Sequence, residues 1–159
     1  MAKPHRRQIL GWVTGFAAIG MSPALADLLP ASSAIASDVT ILSAEAAHQA
    51  ALAGDLILID IRSPDEWRQT GVPSSSHPIS MHVPGFLDKL GRLNEGDLSK
   101  PVALICARGN RSAFLKKELE KRGFSRVIDV SEGMVGGANG AGWIASGLPT
   151  RKVSTSNGE

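Results

Sequence analysis

Three short runs of this chain are apolar at every position: Leu56-Ile57-Leu58-Ile59, Val102-Ala103-Leu104-Ile105 and Val127-Ile128. A strand with one face in water alternates polar and apolar residues, so unbroken runs of this length suit strands covered on both sides. Helix signals separate them. Ser43 can cap a helix that ends before Gly54, with Leu42, Ala46, Ala47 and Ala50 as its buried face. Ser63-Pro64 starts a short helix carrying Asp65, Glu66 and Trp67. Pro84 to Leu93 places Phe86, Leu87, Leu90 and Leu93 at helical spacing before Asn94-Glu95-Gly96. Ser112 to Arg122 is helical, with Phe114, Leu115 and Leu119 inward, a Glu118–Arg122 pair one turn apart and Gly123 as its stop. With Val39-Thr40-Ile41 as a further short strand, strand and helix alternate about four times. The fold class is α/β, with a mainly parallel central sheet and helices on both faces. Gly71 to Pro78 is turn-rich, and Ile79 is expected in a brief edge strand.

The two ends read differently from this middle. Residues 1–26 run from a basic start (Lys3, His5, Arg6, Arg7) through an apolar stretch, Ile9 to Met21, to Pro23-Ala24-Leu25-Ala26. That order is expected of a signal peptide cleaved before Asp27, because the stretch is shorter than the roughly 20 residues that span a bilayer. Arg6-Arg7 resembles a twin-arginine signal. A periplasmic or otherwise exported bacterial location, without stable membrane insertion after cleavage, follows from this reading. Residues 27–37 are expected to be a linker, 38–150 the folded domain, and 151–159 a disordered tail.

Charge excludes some functions. The whole chain has 17 basic and 15 acidic residues; without Lys3, Arg6 and Arg7 the remainder has 14 against 15. Such a domain has no net attraction for polyanions. With no Tyr and only three Trp it also lacks stacking surfaces for single strands. Nucleic acid is not an expected partner.

One cysteine is present, Cys106, so no disulfide can form within the chain. It directly follows the buried Val102–Ile105 run and precedes a helix, which puts Cys106-Ala107-Arg108-Gly109-Asn110-Arg111 in a strand-to-helix turn. Open parallel sheets bind ligands at that end. Backbone N–H groups of such a turn converge on one point, and the helix dipole adds to them. Gly109 permits a positive φ, and Arg108 and Arg111 bring positive charge that favours the thiolate, the nucleophilic form. An isolated cysteine after an apolar strand is usually a packing residue. Two arginines and a glycine within five positions argue otherwise, since packing would not favour cations there. His48, His77 and His82 have no metal-ligand spacing, and the glycines of 133–142 lack a Gly-Lys-[Ser/Thr] ending. No metal or cofactor is expected, and that glycine segment reads as a flexible wall beside the site. Trp67 and Trp143 read as core or cleft-wall residues.

Three segments resemble the rhodanese family: Asp60-Ile61-Arg62-Ser63-Pro64-Asp65-Glu66-Trp67, the loop from Cys106 to Ser112, and Gly133 to Pro149 with Gly136-Gly137 and Trp143. The segment Gly71 to Pro78 departs from that family's pattern. The resemblance implies a three-layer rhodanese-like fold over residues 38–150 and a sulfurtransferase. In that reading Cys106 carries a persulfide, Ala107, Arg108, Gly109, Asn110, Arg111 and Ser112 bind a thiosulfate-like anion, and Asp60 and Arg62 support the loop. A thiol or cyanide accepts the sulfur, and a protein donor or acceptor is compatible with it. Four residues separate Cys106 from Arg111, as in the sulfurtransferases, where phosphatases of this fold have five. The other readings are a sulfur-carrier or redox-sensing module and, more distantly, a phosphatase or arsenate reductase.

Overall fold

A computed structural model describes residues 35–153. The expected signal peptide, most of the expected linker and residues 154–159 lie outside the described residues. Among those described, no helix is long and apolar enough to cross a membrane.

The elements are β1 (Ile41–Leu42), α1 (Ala44–Ala53), β2 (Ile57–Asp60), α2 (Pro64–Thr70), β3 (Val72–Pro73), β4 (Ser76–Pro78), α3 (Phe86–Leu93), β5 (Val102–Ile105), α4 (Asn110–Glu120), β6 (Val127–Val130), α5 (Gly142–Ala145) and β7 (Thr150–Arg151). Five strands form one sheet in the order β1-β6-β5-β2-β4, and every pairing in it is parallel. Leu58, Ile59, Leu104 and Ile105 are almost wholly buried, each stabilising the fold by about 1.5–3 kcal/mol relative to exposure. Side chains alternate across the sheet. Ile59, Val102, Leu104, Cys106 and Val127 pack with Phe86 and Leu90 of α3 and Leu119 of α4. On the opposite face Leu58, Ala103, Ile105, Ile128 and Val130 pack with Ala44 and Ala47 of α1 and Trp143 of α5.

The helix signals act where the residues place them. Ser43 caps α1 through the Ala46 N–H, and Gly54 closes it in the left-handed conformation. Several expectations need correction. Leu87 and Phe114, expected inward, are 46% and 59% exposed; a helical stripe fixes spacing but not which flanking position turns to water. Ala46 and Ala50 are only partly buried, and His48 takes the buried place instead, edge-on to Trp143 with ring centroids 5.2 Å apart. Helix α4 starts at Asn110, two residues early, because Gly109 with φ 88° turns the chain into it. The edge strand is Ser76–Pro78, and Ile79 follows it with its N–H donated to Asp60 O (3.0 Å). The tail does not begin at 151: Arg151 pairs with Val72 in the antiparallel β3–β7 ribbon, and its Nη2 donates to Ser76 O at 2.8 Å.

Candidate active site

From β2 the sheet grows toward β4, and from β5 it grows the other way, toward β6. The connections that leave β2 and β5 therefore part at the carboxyl ends of these strands, where Asp60 and Ile105 are in register, and a crevice opens at such a switch point. A cleft of about 430 Å³ lies there, lined by Arg62, Glu66, Gln69 and Thr70 from the segment after β2, by Cys106, Ala107, Arg108, Asn110 and Arg111 after β5, and by Val135 after β6.

One wall is built on a buried ion pair. Arg62 is 1% exposed and Asp60 fully buried. The guanidinium donates to Asp60 Oδ2 at 2.7 Å, to Thr70 Oγ1 at 2.8 Å and to the Gly71 carbonyl at 2.7 Å, and Asp60 Oδ1 also accepts the Arg62 backbone N–H. Every nitrogen of Arg62 is committed to the protein, so this side chain fastens the end of α2 to the end of β2. At the other end of α2, Ser63 and Glu66 form a reciprocal capping box.

The same Glu66 reaches across the cleft to Arg111, with Oε2 accepting from Nη1 at 2.8 Å and Oε1 from Nη2 at 2.6 Å. The hydrogen bonds from Arg111, chiefly, hold the Glu66 carboxyl down at about 2. Glu66 in turn raises Arg111 above its ordinary value, again chiefly through that hydrogen bond. Arg111 was expected to bring its charge to the sulfur and to the incoming anion; most of that charge is met by Glu66. The residues that neighbour Arg111 in the sequence do not reveal this partner. The Ser63-x-x-Glu66 spacing is a capping-box signature that would have drawn attention to Glu66, although nothing local connects it to Arg111.

Cys106 lies at the base of the cleft with negligible exposure. Its Sγ accepts the Gly109 N–H at 3.1 Å, and the Ser112 hydroxyl stands 3.4 Å away. The Cys106 and Ala107 carbonyls accept from the N–H groups of Met134 and Val135, at 2.9 and 3.0 Å. These two bonds tie the start of the glycine segment, the wall expected to be flexible, to the loop it flanks. Gly133 makes the approach possible: a Cβ there would sit 2.4 Å from Ala107 O. Among the described residues the N–H groups of Ala107, Arg108, Asn110 and Arg111 have no protein acceptor, which suits a loop that offers donors to an anion. Arg108 is exposed and makes no ion pair with any described residue.

Of the residues expected to bind substrate, Ala107, Arg108, Asn110 and Arg111 line the cleft, while Gly109 and Ser112 do not. Gly109 is buried with its N–H on the sulfur, and Ser112, fully buried, approaches Sγ from the protein side. Trp67 is buried, and Trp143 is a core residue whose Nε1 donates to Pro149 O at 3.1 Å. His82 stands at the rim, its Nε2 3.5 Å from Arg111 Nη1. No group of three or more metal-ligating side chains occurs among the described residues.

A lone cysteine facing main-chain donors at the switch point of a parallel sheet defines a class: α/β domains that present a thiol to small anions. Within that class the chain belongs to the rhodanese-like domain family, whose model matches residues 43–139. It is 31% identical over 77 residues to the thiosulfate sulfurtransferase GlpE of Pseudomonas syringae, covering 48% of this chain and 67% of that protein. It is 31% identical over 105 residues to the putative sulfur carrier protein YrkF of Bacillus subtilis; that match takes in 65% of this chain but spans only about half, 53%, of YrkF. Among solved structures, the polysulfide-sulfur transferase homodimer from Wolinella succinogenes superposes with a TM-score of 0.55 at 29% identity, covering 77% of this chain and 85% of that one. The expected three-layer α/β fold and the sulfurtransferase family are therefore established.

Proposed function

We propose that this protein moves sulfane sulfur from thiosulfate, or from a persulfide donor, to a thiol or cyanide acceptor by way of a persulfide on Cys106. The observation that carries the reading is the placement of the Cys106 sulfur beneath a four-residue loop, with the Gly109 N–H directed at it at 3.1 Å. In the first half-reaction the Cys106 thiolate attacks the outer sulfur of thiosulfate. An S–S bond forms to Cys106, the S–S bond of the donor breaks, and sulfite leaves with the electron pair. The loop N–H groups and Arg108 face the anion as it arrives. In the second half-reaction the acceptor attacks the outer sulfur of the persulfide, and Cys106 leaves as the thiolate. The names of the relatives support this reading, one being a thiosulfate sulfurtransferase and another a polysulfide-sulfur transferase. Residues 1–26 support an exported location for the reaction.

The test is the intact mass of the purified protein after thiosulfate and then after cyanide. The expected result is a gain of about 32 Da, one sulfur, that cyanide removes and that Cys106→Ser never acquires. A serine variant with full transfer activity would overturn the proposal. The likeness to YrkF favours one second reading, a carrier that accepts sulfur but releases it only to a protein partner. That carrier would gain the sulfur and keep it in the presence of cyanide and small thiols.

A further inference from the structure

The charged side chains that line the cleft are Arg62, Glu66, Arg108 and Arg111. Arg62 is closed on Asp60 at 2.7 Å, with both partners buried. Arg111 is closed on Glu66 by two hydrogen bonds, 2.8 and 2.6 Å, in a pair whose side chains are 31% and 28% exposed. Paired N–H···O contacts between a guanidinium and a carboxylate are the strong form of such a bridge, and partial enclosure shields it from salt. Arg108 is exposed and, among the described residues, has no ionic partner. The lining therefore offers one uncompensated positive charge, beside the loop N–H donors.

Size sets a second, independent constraint. The cleft holds about 430 Å³, within the range of about 300–1,000 Å³ that takes organic ligands. Thiosulfate has five heavy atoms, which fill about 150 Å³ even at the roughly 30 Å³ that a water molecule occupies in the liquid. Gln69, Asn110 and Val135, none of them charged, bound part of the same space. Val135 is 45% exposed, and its N–H, donated to the Ala107 carbonyl at 3.0 Å, fixes where its side chain starts. An inorganic dianion gains nothing from an open isopropyl group, whereas an organic group that covers it does.

We propose that the donor this cleft selects is an organic hydropersulfide, R–S–SH, whose R group covers Val135, and that Glu66 sets the choice by cancelling the Arg111 charge that a dianion would use. The inference rests on the persulfide reading and names the donor for it. The Cys106 thiolate attacks the outer sulfur of R–S–SH, so that an S–S bond forms to Cys106 and the donor S–S bond breaks. The R–S fragment leaves with the electron pair as a thiolate, and the hydrogen stays on the transferred sulfur. One negative charge develops on the leaving group and Arg108 is free to meet it, where thiosulfate would release sulfite with two.

The experiment is single-turnover loading of Cys106, followed by intact mass, from three donors of graded charge and size: thiosulfate, methanethiosulfonate and benzenethiosulfonate. The thiosulfonates are stable stand-ins for the hydropersulfide, since each releases a singly charged sulfinate. Every rate constant is divided by that of the same donor with free 2-mercaptoethanol, which removes intrinsic reactivity. In the wild type, benzenethiosulfonate is expected to lead, with methanethiosulfonate next and thiosulfate about tenfold or more behind the leader. Glu66→Gln removes the charge and keeps the shape. It should speed thiosulfate by about tenfold and the two monoanions by about threefold, because a unit charge acts twice as strongly on a dianion. A merely structural role for Glu66 would change all three donors alike. Val135→Ala should slow benzenethiosulfonate by about threefold relative to methanethiosulfonate. Thiosulfate level with or ahead of benzenethiosulfonate in the wild type overturns the proposal, as does a common factor for all donors in Glu66→Gln or an unmoved ratio in Val135→Ala. If Glu66→Gln does not fold, the wild-type series and the Val135→Ala ratio decide. Absence of loading from every donor would instead overturn the sulfur-transfer reading itself.

Discussion

Replacing Gly109 by alanine separates two costs that glycine avoids in the cysteine loop. Gly109 has φ +88°, and a Cβ on it would lie 2.2 Å from the Ser131 carbonyl oxygen and 3.0 Å from its carbon. Positive φ alone costs a non-glycine residue about 1–2 kcal/mol. Contact with rigid backbone adds more, because the loop must retreat by about 1 Å to restore ordinary spacing, an overpacking cost of about 1–3 kcal/mol. Gly54 provides the control. It also has a positive φ, +79°, yet nothing lies within 4 Å of its would-be Cβ. Gly54→Ala should therefore lower Tm by about 4–8 °C, and Gly109→Ala by about 10 °C or more. A 1 Å retreat also lifts the Gly109 N–H off the sulfur, and a displacement of that size costs a reacting geometry roughly 100-fold in rate. Thermal melts of both variants and the rate of persulfide formation from thiosulfate supply the assay. If Gly109→Ala melts with Gly54→Ala and keeps more than about a third of the wild-type rate, the packing of the loop against Ser131 does not have the role assigned to it.

Two further outcomes follow from the walls of the cleft. Asp60→Asn leaves the buried Arg62 guanidinium without its counter-charge, and should destabilise the domain by about 3–5 kcal/mol in urea unfolding; a loss below about 1 kcal/mol would mean that water reaches the pair. Glu66 has a carboxyl lowered from 4.5 to about 2 by its contact with Arg111. A lowered folded value makes its contribution complete above pH 4.5 and lost as the pH falls through 2. Glu66→Gln should reduce the loss of stability between pH 6 and pH 3, measured by urea midpoints, and an unchanged slope would place the acid sensitivity elsewhere.

Much of the frame was legible because its causes are local. Unbroken apolar runs announced β2 and β5, Ser43 and Gly54 bounded α1, and the placement of Cys106 after a strand and before a helix located the site. What escaped depends on pairings distant in sequence. The Glu66–Arg111 contact joins residues 45 apart, and Ser76–Pro78 became a strand only because β2 offered an edge beside it. Asp129 reads in Val127-Ile128-Asp129-Val130 as an ordinary polar position, and only the covering by α4 makes it an enclosed acid. Leu87 and Phe114 show the opposite failure, in which a valid helical spacing does not reveal how far the apolar stripe extends around the helix.

The five-stranded sheet has two residues in one border strand, β1, and three in the other, β4, the last of them Pro78. Proline has no N–H to donate, and so short a row of free groups gives an approaching strand little to pair with. Among the described residues, these two borders therefore give sheet-to-sheet joining into fibrous aggregates little to start from.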